Sequence, residues 1–277
     1  MKIALIQPSF ISTFPEKLAC IRNASEYTDS FTPEDATRNL DIFLGLVRES
    51  AEKGAELAVG PESLLDGWSY DRNALEYSAV PLDSPEIGEC CSAAGDYGIW
   101  ICAGVFTRRD GVLANSSLLI SPEGEMAGVY DKVHETPEVL GEMGYSLGDS
   151  FPVFDTPFGK AGMLICHDRW YPEAFRSLAV GGARLVLNPV ATAICHPSHE
   201  WYDMHTALLR TRAYENRVTV VTVNASNHGG HSRVIGPDGA VIFEAPLETG
   251  AYVVDVAPDT GAGYDFLKSR RPDAYVV

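Results

Sequence analysis

Short apolar runs alternate with amphipathic segments along most of the chain, and this alternation constrains the fold more than any other feature. Residues 2–7, 57–59 and 161–165 are compact apolar runs typical of buried strands. Apolar residues between such runs recur at helical spacing, as they do after Thr32. Strands separated by helices indicate an α/β fold with mixed sheets, because each helix returns the chain to the start of another strand.

Three helices are predicted from cap signals and periodicity. The pairs Thr32-Pro33 and Ser84-Pro85 place a capping hydroxyl before a proline suited to the first helical position. The first helix is predicted to end at Gly54 and the second near Gly98, and a third spans about 200–216. The first helix directs these residues to one face: Ala36, Leu40, Phe43, Leu44, Val47 and Ala51.

The remaining apolar runs predict further strands, with turn residues between them. These strands are expected at 99–106, 112–120, 125–130, 184–187, 218–223, 232–236, 240–245 and 251–256, and a helix is expected to begin near Pro172. No linker interrupts the sequence, so we expect one domain over 1–277. Residues 8–32 are long for a connection and are interpreted as a helical insertion or a lid. Periodicity leaves open whether the strands form one sheet or two.

The composition excludes several kinds of partner. The 277 residues carry a formal charge of −17, which argues against nucleic acid or an anionic membrane as a partner, since both attract basic patches. No apolar stretch is long enough to span a bilayer, and residues 1–8 are too short for a secretory signal. We therefore expect a soluble, cytoplasmic protein that acts on a small molecule.

The six cysteines show no CxxC spacing, and a chain of this length does not need disulfides for stability. We expect free thiols in a reducing compartment, most of them small core residues.

Three reactive side chains follow predicted strands. Glu62 comes after the strand at 57–59, Lys132 after the strand that ends at Tyr130, and Cys166 directly after the strand at 161–165. Catalytic groups of α/β sheets gather at the carboxyl ends of strands, so one carboxylate, one ammonium and one thiol could meet there. Taken alone, a cysteine at a strand end is more often a buried core residue, so the trio is a hypothesis at this point.

Such a trio has a workable chemistry. The thiolate attacks an electrophilic carbon while the carboxylate takes the thiol proton and later activates water. The lysine lowers the pKa of the thiol and stabilises the oxyanion of the tetrahedral intermediate. The backbone N–H of His167 could act as a second oxyanion donor. Neither a metal nor an organic cofactor is needed.

The sequences around the three residues resemble the motifs of one family. Ile165 to Glu173, read as ICHDRWYPE, resembles the nucleophile motif of the nitrilase superfamily, the carbon–nitrogen hydrolases. Gly60-Pro61-Glu62 is similar to the motif of that family's catalytic glutamate, and 130–134, YDKVH, to the motif of its lysine. The order of the motifs agrees. Further family-like blocks lie at 154–159, 212–216 and 236–239.

The resemblance implies a four-layer α-β-β-α sandwich, commonly doubled across a dimer. It therefore implies a homodimer or a higher homo-oligomer, with the tail at 257–277 as a candidate interface. It assigns Glu62 as the general base, Lys132 as the oxyanion stabiliser and Cys166 as the nucleophile.

The family often has a second glutamate between the lysine and cysteine motifs, shortly before a Gly-Asp pair. Glu142, ahead of Gly148-Asp149, fits this position best, although Glu135 and Glu138 compete for it. Its implied part is to position the lysine or the substrate nitrogen.

The residues after the nucleophile indicate a branch of the family. True nitrilases usually carry Trp-Glu there, whereas 166–169 here read Cys-His-Asp-Arg, which resembles N-carbamoyl amino acid amidohydrolases. In those enzymes such an arginine is associated with the substrate carboxylate, and Arg169 is assigned that part, since a guanidinium binds a carboxylate through two parallel hydrogen bonds. The alternative is a local partnership of Arg169 with Asp168 or Glu173.

The expected reaction is hydrolysis of an amide or N-carbamoyl group in a small molecule, with release of ammonia through a Cys166 thioester. Nitrile hydrolysis and acyl transfer to an amine use the same trio and stay open as alternatives. A non-catalytic binding protein on this fold is the alternative of another class. The presence of all three catalytic residue types argues against it.

Other polar and aromatic residues near the motifs are candidates for the substrate pocket. They are His167, Trp170, His196 and Trp201. His196, His199 and His205 lie close together in the sequence, but their spacing does not form a compact ligand face. No metal site is therefore predicted.

Overall fold

The computed structural model describes residues 1–12, 30–69, 73–192, 200–257 and 265–275. The side chains of Glu142, Glu200 and Trp201 lie outside this description, as does the greater part of the segment interpreted as an insertion or lid.

Twelve strands are present in the described residues. They are β1 (Lys2–Gln7), β2 (Leu57–Val59), β3 (Trp100–Arg109), β4 (Val112–Ile120), β5 (Met126–Asp131), β6 (Val153–Thr156), β7 (Gly159–Met163), β8 (Leu185–Pro189), β9 (Thr219–Val223), β10 (Arg233–Ile235), β11 (Val241–Glu244) and β12 (Gly250–Asp255). They form two mixed six-stranded sheets, with the orders β12-β1-β2-β3-β4-β5 and β11-β10-β9-β8-β7-β6. The question of one sheet or two, which periodicity left open, is thus resolved as two.

The helices are α1 (Pro33–Glu52), α2 (Ala74–Ser78), α3 (Pro85–Tyr97), α4 (Pro137–Met143), α5 (Pro172–Val180) and α6 (Glu200–Asn216). The predicted caps are confirmed. Thr32 forms a capping box with Asp35, and the Ser84 hydroxyl accepts a hydrogen bond from the backbone N–H of Ile87. Within the described residues, no helix combines the length and apolar character that crossing a bilayer requires.

The two sheets pack face to face with helices outside both of them, which confirms the α-β-β-α sandwich. Apolar side chains of β1, β2 and β3 meet those of β7, β8 and β9 in one core, and α5 and α6 cover the far side of the second sheet. On the outer face of the first sheet, Phe43 and Val47 of α1 and Ile87 of α3 pack against Ile101 and neighbouring strand residues. Burial of these apolar faces stabilises the layers.

Three elements were not predicted from the sequence, namely β6, α2 and α4. Each is short, with at most seven residues, and so carries too few residues to establish a period. The strand expected at 161–165 begins and ends two residues earlier, as β7 (Gly159–Met163). The chain then forms a 3₁₀ turn at Cys166–Trp170 before α5 begins. This turn determines where the thiol is placed.

Gly104 of β3 allows the segment that carries Glu62 to lie close to the sheet. A Cβ at Gly104 would meet the carbonyl oxygen of Pro61 at 2.6 Å and Cα of Glu62 at 2.8 Å. Both are backbone atoms, which cannot rotate away.

We expect Gly104→Ala to lower the free energy of unfolding by about 1–3 kcal/mol, as overpacking of a core does. The matched control is Gly45→Ala in α1, where a Cβ meets no atom within 4 Å. That variant should gain roughly 0.5–1 kcal/mol, since alanine favours helix interiors. Urea unfolding of both variants measures the difference, and equal midpoints would contradict the steric argument.

Candidate active site

Residues from both sheets meet in one buried cluster. Glu62 lies three residues beyond β2 and Lys132 directly beyond β5, and both strands belong to the first sheet. Cys166 lies beyond β7 of the second sheet. The three predicted side chains are therefore brought together by the packing of one sheet on the other.

Glu62 is 1% exposed and accepts three hydrogen bonds. Its Oε1 accepts from Lys132 Nζ at 2.9 Å and from Asn115 Nδ2 at 2.7 Å, and its Oε2 accepts from the backbone N–H of Ala191 at 2.9 Å. Burial raises the pKa of Glu62 above its ordinary value, although Lys132 and Asn115 act in the opposite direction. A carboxylate in this environment is a stronger base than a solvated one.

Lys132 is 1% exposed and donates hydrogen bonds to the carboxylates of Glu62 and Glu135. Its Nζ lies 5.0 Å from the ring centre of Trp68, close enough for a cation–π contact. Burial by itself lowers the pKa of Lys132, but its neighbours, Glu62 foremost, raise it well above its ordinary value. The side chain therefore stays an ammonium, and the two carboxylates leave one of its three donors for a substrate atom.

Glu135 is the second carboxylate on the lysine in the described structure. Its Oε2 accepts from Lys132 and from the Tyr145 hydroxyl, the latter at 2.8 Å, and its Oε1 accepts from the backbone N–H of Thr136 at 2.8 Å. The sequence interpretation preferred Glu142, with Glu135 and Glu138 as competitors. Glu142 lies in α4, with its side chain outside the description, so its part stays a prediction. Glu135 is three residues beyond Lys132 and reaches it within one loop.

Cys166 has a left-handed backbone conformation, with φ of 38°, which is uncommon for a residue with a side chain. Its Sγ lies 3.5 Å from Oγ1 of Thr192 and 3.8 Å from the carbonyl oxygen of Ala191. Burial raises the pKa of the thiol to about 11, and Glu62 adds to the increase, while Arg169 and Lys132 oppose it. The expected effect of Lys132 on the thiol is thus present but outweighed, and the resting side chain is a thiol.

Ala191 connects Glu62 to Cys166 through its backbone. Its N–H donates to Glu62 Oε2 at 2.9 Å, and its carbonyl oxygen accepts from the Cys166 thiol at 3.8 Å. One peptide segment, directly beyond β8, therefore holds the carboxylate and faces the sulfur. No residue pattern could have predicted this part, because backbone groups are the same in every residue type.

Asp168 connects two segments of the site, a part that sequence reasoning did not assign to it. It is fully buried, and its carboxylate accepts from the backbone N–H of Ile165 at 2.9 Å and from the Tyr130 hydroxyl at 2.6 Å. Both the backbone N–H and Nδ1 of His134 lie 2.9 Å from its Oδ1. Tyr130 and His134 flank Lys132, so Asp168 joins the nucleophile turn to the lysine segment. The sequence signal that could have identified Asp168 is an acidic residue that follows the apolar run at 161–165 by three positions.

Arg169 is 3% exposed, and no ion pair joins it to Asp168 or Glu173 in the described part of the chain. The local partnership considered for Arg169 is therefore wrong. Its Nη2 instead donates to Thr192 Oγ1 at 2.6 Å and lies 3.4 Å from Nε2 of His205.

The other pocket candidates lie in different surroundings. His167 is half-buried beside the ring of Tyr171, and burial lowers the pKa of its imidazole. The Trp170 ring lies 5.0 Å from that of His205, which is buried. His196, His199 and the side chain of Trp201 lie outside the described residues. Within the described residues, no group of three or more histidine, cysteine or acidic side chains could hold a metal ion.

Comparison with known proteins gives one consistent result. A family model described as carbon–nitrogen hydrolase matches residues 4–264. The chain is 28% identical over 273 residues to an N-carbamoylputrescine amidase of Arabidopsis thaliana, covering 88% of this chain and 91% of the relative. It is 29% identical over 258 residues to an omega-amidase of Xenopus laevis, with 86% and 91% covered.

A solved structure of the amidase from Nesterenkonia sp. AN1 has the same fold, with a TM-score of 0.77 and 25% identity. The match covers 99% of this chain and 94% of that one. That structure is of a mutant with the acetamide moiety of fluoroacetamide added covalently at the active site cysteine.

We expect Asp168→Asn to lower the free energy of unfolding by about 1.5–3 kcal/mol, because hydrogen bonds to a charged group contribute that much. The matched control is Asp155→Asn on β6, an exposed aspartate paired with Lys160, which should change stability by at most about 1 kcal/mol. Urea unfolding measures both, and equal effects would show that Asp168 does not hold the two segments together.

Proposed function

Because the chain belongs to the carbon–nitrogen hydrolase family, we propose that it hydrolyses the C–N bond of a linear amide or N-carbamoyl group in a small molecule and releases ammonia. The observation that carries this proposal is the buried Glu62–Lys132 pair, which Ala191 links to the sulfur of Cys166. The relatives act on amides and on an N-carbamoyl group, which supports both substrate classes.

In the first step we propose that Glu62 takes the proton of the Cys166 thiol as Sγ attacks the carbonyl carbon. The two events belong together, because burial keeps the resting cysteine protonated. The carbonyl oxygen becomes an oxyanion, which the remaining N–H of Lys132 stabilises. The backbone N–H of His167, next to the nucleophile in the 3₁₀ turn, is the second donor in this proposal.

In the second step the C–N bond breaks, and Glu62 returns its proton to the leaving nitrogen, so that ammonia departs and a thioester remains on Cys166. Glu62 then takes a proton from water as the water oxygen attacks the thioester carbon. The C–S bond breaks, Glu62 returns this proton to the sulfur, and the acid or carbamate product leaves. One carboxylate thus transfers protons in both halves, which suits a group whose pKa is raised by burial.

Arg169 is our candidate for binding a carboxylate on the substrate. Arg169 lines a small cavity that is also lined by Arg233, another buried arginine, whose Nε pairs with Glu244 at 3.0 Å. In the described structure, Nε of Arg169 is buried and has no hydrogen-bond partner, so it can still bind an anionic oxygen. Because Glu244 compensates the charge of Arg233, Arg169 is the guanidinium of this cavity that favours a ligand with negative charge.

We also propose that residues 1–277 form a single hydrolase domain that assembles as a homodimer or a larger homo-oligomer in the cytoplasm. The family match across residues 4–264 and the free thiols of the described cysteines support this setting. The formal charge of −17 favours a small molecule over nucleic acid or an anionic membrane as a partner.

The test is ammonia release from a panel of N-carbamoyl amino acids, ω-amides, aliphatic amides and nitriles. We expect turnover of amides or N-carbamoyl compounds, and we expect Cys166→Ala to reduce it by about 10³-fold or more, because the nucleophile is lost. Cys91→Ala in α3 is the matched control and should keep wild-type activity. Undiminished turnover by a folded Cys166→Ala protein would exclude the mechanism.

For Arg169→Ala we expect KM to rise about tenfold or more for carboxylate-bearing substrates relative to uncharged amides, since charge-assisted hydrogen bonds are lost. Comparing two substrates on the same variant cancels any effect on Cys166 itself. Arg184→Ala, at an exposed arginine, is the control. An equal change in KM for both substrate types would reject the carboxylate-binding role.

A further inference from the structure

We propose that the Thr192 hydroxyl donates a hydrogen bond to the sulfur of Cys166, and that Arg169 fixes the direction of that bond. This inference rests on the proposed function, in which Cys166 is the nucleophile. It makes Thr192 a catalytic residue that contacts the reacting atom, and Arg169 a positioning residue that acts through it.

The direction of the hydrogen bond follows from which groups of Arg169, Thr192 and Cys166 can donate and which can accept. A guanidinium has donors and no acceptor, so in the 2.6 Å contact between Arg169 Nη2 and Thr192 Oγ1 the threonine oxygen must accept. The hydroxyl hydrogen of Thr192 is then left for another partner. Sγ of Cys166 lies 3.5 Å from the same oxygen, which is within hydrogen-bond range for sulfur. The geometry therefore points the hydroxyl hydrogen towards the sulfur.

The backbone of Thr192 is held on both sides, so this position does not depend on a loose loop. Its N–H donates to Asn224 Oδ1 at 3.2 Å, and its carbonyl oxygen accepts from Asn224 Nδ2 at 2.9 Å. Asn224 is buried directly beyond β9, and Thr192 lies beyond the neighbouring parallel strand β8. Adjacent strand ends thus fix the hydroxyl beside the nucleophile.

Negative charge on the Cys166 sulfur needs a hydrogen-bond donor to stabilise it. Burial raises the pKa of Cys166, and the Glu62 carboxylate acts in the same direction, so negative charge on the sulfur is disfavoured until something compensates it. Lys132 and Arg169 are the cations that oppose this effect, together with the hydrogen bond from Thr192. The other contact of Sγ is the carbonyl oxygen of Ala191, which accepts from a thiol but cannot stabilise a thiolate.

In the described part of the chain, Thr192 is therefore the one hydrogen-bond donor that the sulfur faces. A hydroxyl that accepts from a cation is polarised and becomes a better donor. Arg169 thus strengthens the hydrogen bond from Thr192 to the sulfur by polarising the hydroxyl, although the guanidinium itself does not contact the sulfur.

The test compares Thr192→Val, which keeps the shape without the hydroxyl, with Thr192→Ser, which keeps the hydroxyl. Iodoacetamide alkylation of Cys166 is followed against pH by peptide mass, with Cys166→Ala as the blank. We expect Thr192→Val to be alkylated about tenfold more slowly at pH 8, with its midpoint at higher pH, since a hydrogen bond to a charged group is lost. Thr192→Ser, which keeps the donor, should be alkylated faster than Thr192→Val.

Turnover of an uncharged amide gives a second measurement. We expect kcat of Thr192→Val to fall with KM nearly unchanged, because the bond strengthens only as the sulfur gains charge. Thermal unfolding verifies that both threonine variants are folded. A Thr192→Val protein that is folded and has the wild-type alkylation profile would overturn the proposal for Thr192, even with Cys166 shown to be essential. Full turnover by Cys166→Ala would instead overturn the proposed function.

A double-mutant cycle tests the part of Arg169. If Arg169 acts through the hydroxyl, Arg169→Gln should slow alkylation by a smaller factor in the Thr192→Val protein than in the wild type. The same factor in both proteins would show that the arginine acts independently of Thr192.

Discussion

A buried ion pair between Glu62 and Lys132 is the interaction on which the site depends. Taking two charges out of water costs more than their attraction returns unless further hydrogen bonds satisfy them. Asn115 and the Ala191 backbone satisfy the carboxylate, and Glu135 satisfies the ammonium. These partners come from β4, from beyond β8 and from the loop after β5, so the pair is stable only when both sheets are packed together.

Cys166, the proposed nucleophile, is held by a second set of buried contacts. A left-handed backbone at Cys166 costs of order 1 kcal/mol or more and persists only where the surroundings determine it. Asp168 provides that constraint, because it binds the backbone N–H of Ile165 and the two residues that flank the lysine. The turn and the lysine segment thus form one unit, and the thiol cannot move independently of the ammonium.

The electrostatics of the site follow from burial rather than from a simple sum of charges. Burial raises the pKa of both Glu62 and Cys166, so the carboxylate is a stronger base than a solvated one and the cysteine rests as a thiol. In the proposed mechanism proton transfer and attack are therefore coupled, and the groups that stabilise a charged sulfur matter most at that moment. In the proposed mechanism Lys132 stabilises the oxyanion, while Arg169 and Thr192 lie on the side of the sulfur.

The sequence alone determined the local features of this protein: the capped helices, most of the strands, and the placement of Glu62, Lys132 and Cys166 after strand ends. Caps, periodicity and motifs are short-range signals, so they can be read without a fold. Only the tertiary structure decided that there are two sheets, that Glu135 binds the lysine, and that burial outweighs Lys132 in setting the pKa of the thiol. These depend on contacts such as Glu62 with Lys132, 70 residues apart, which form only when packed layers exclude water.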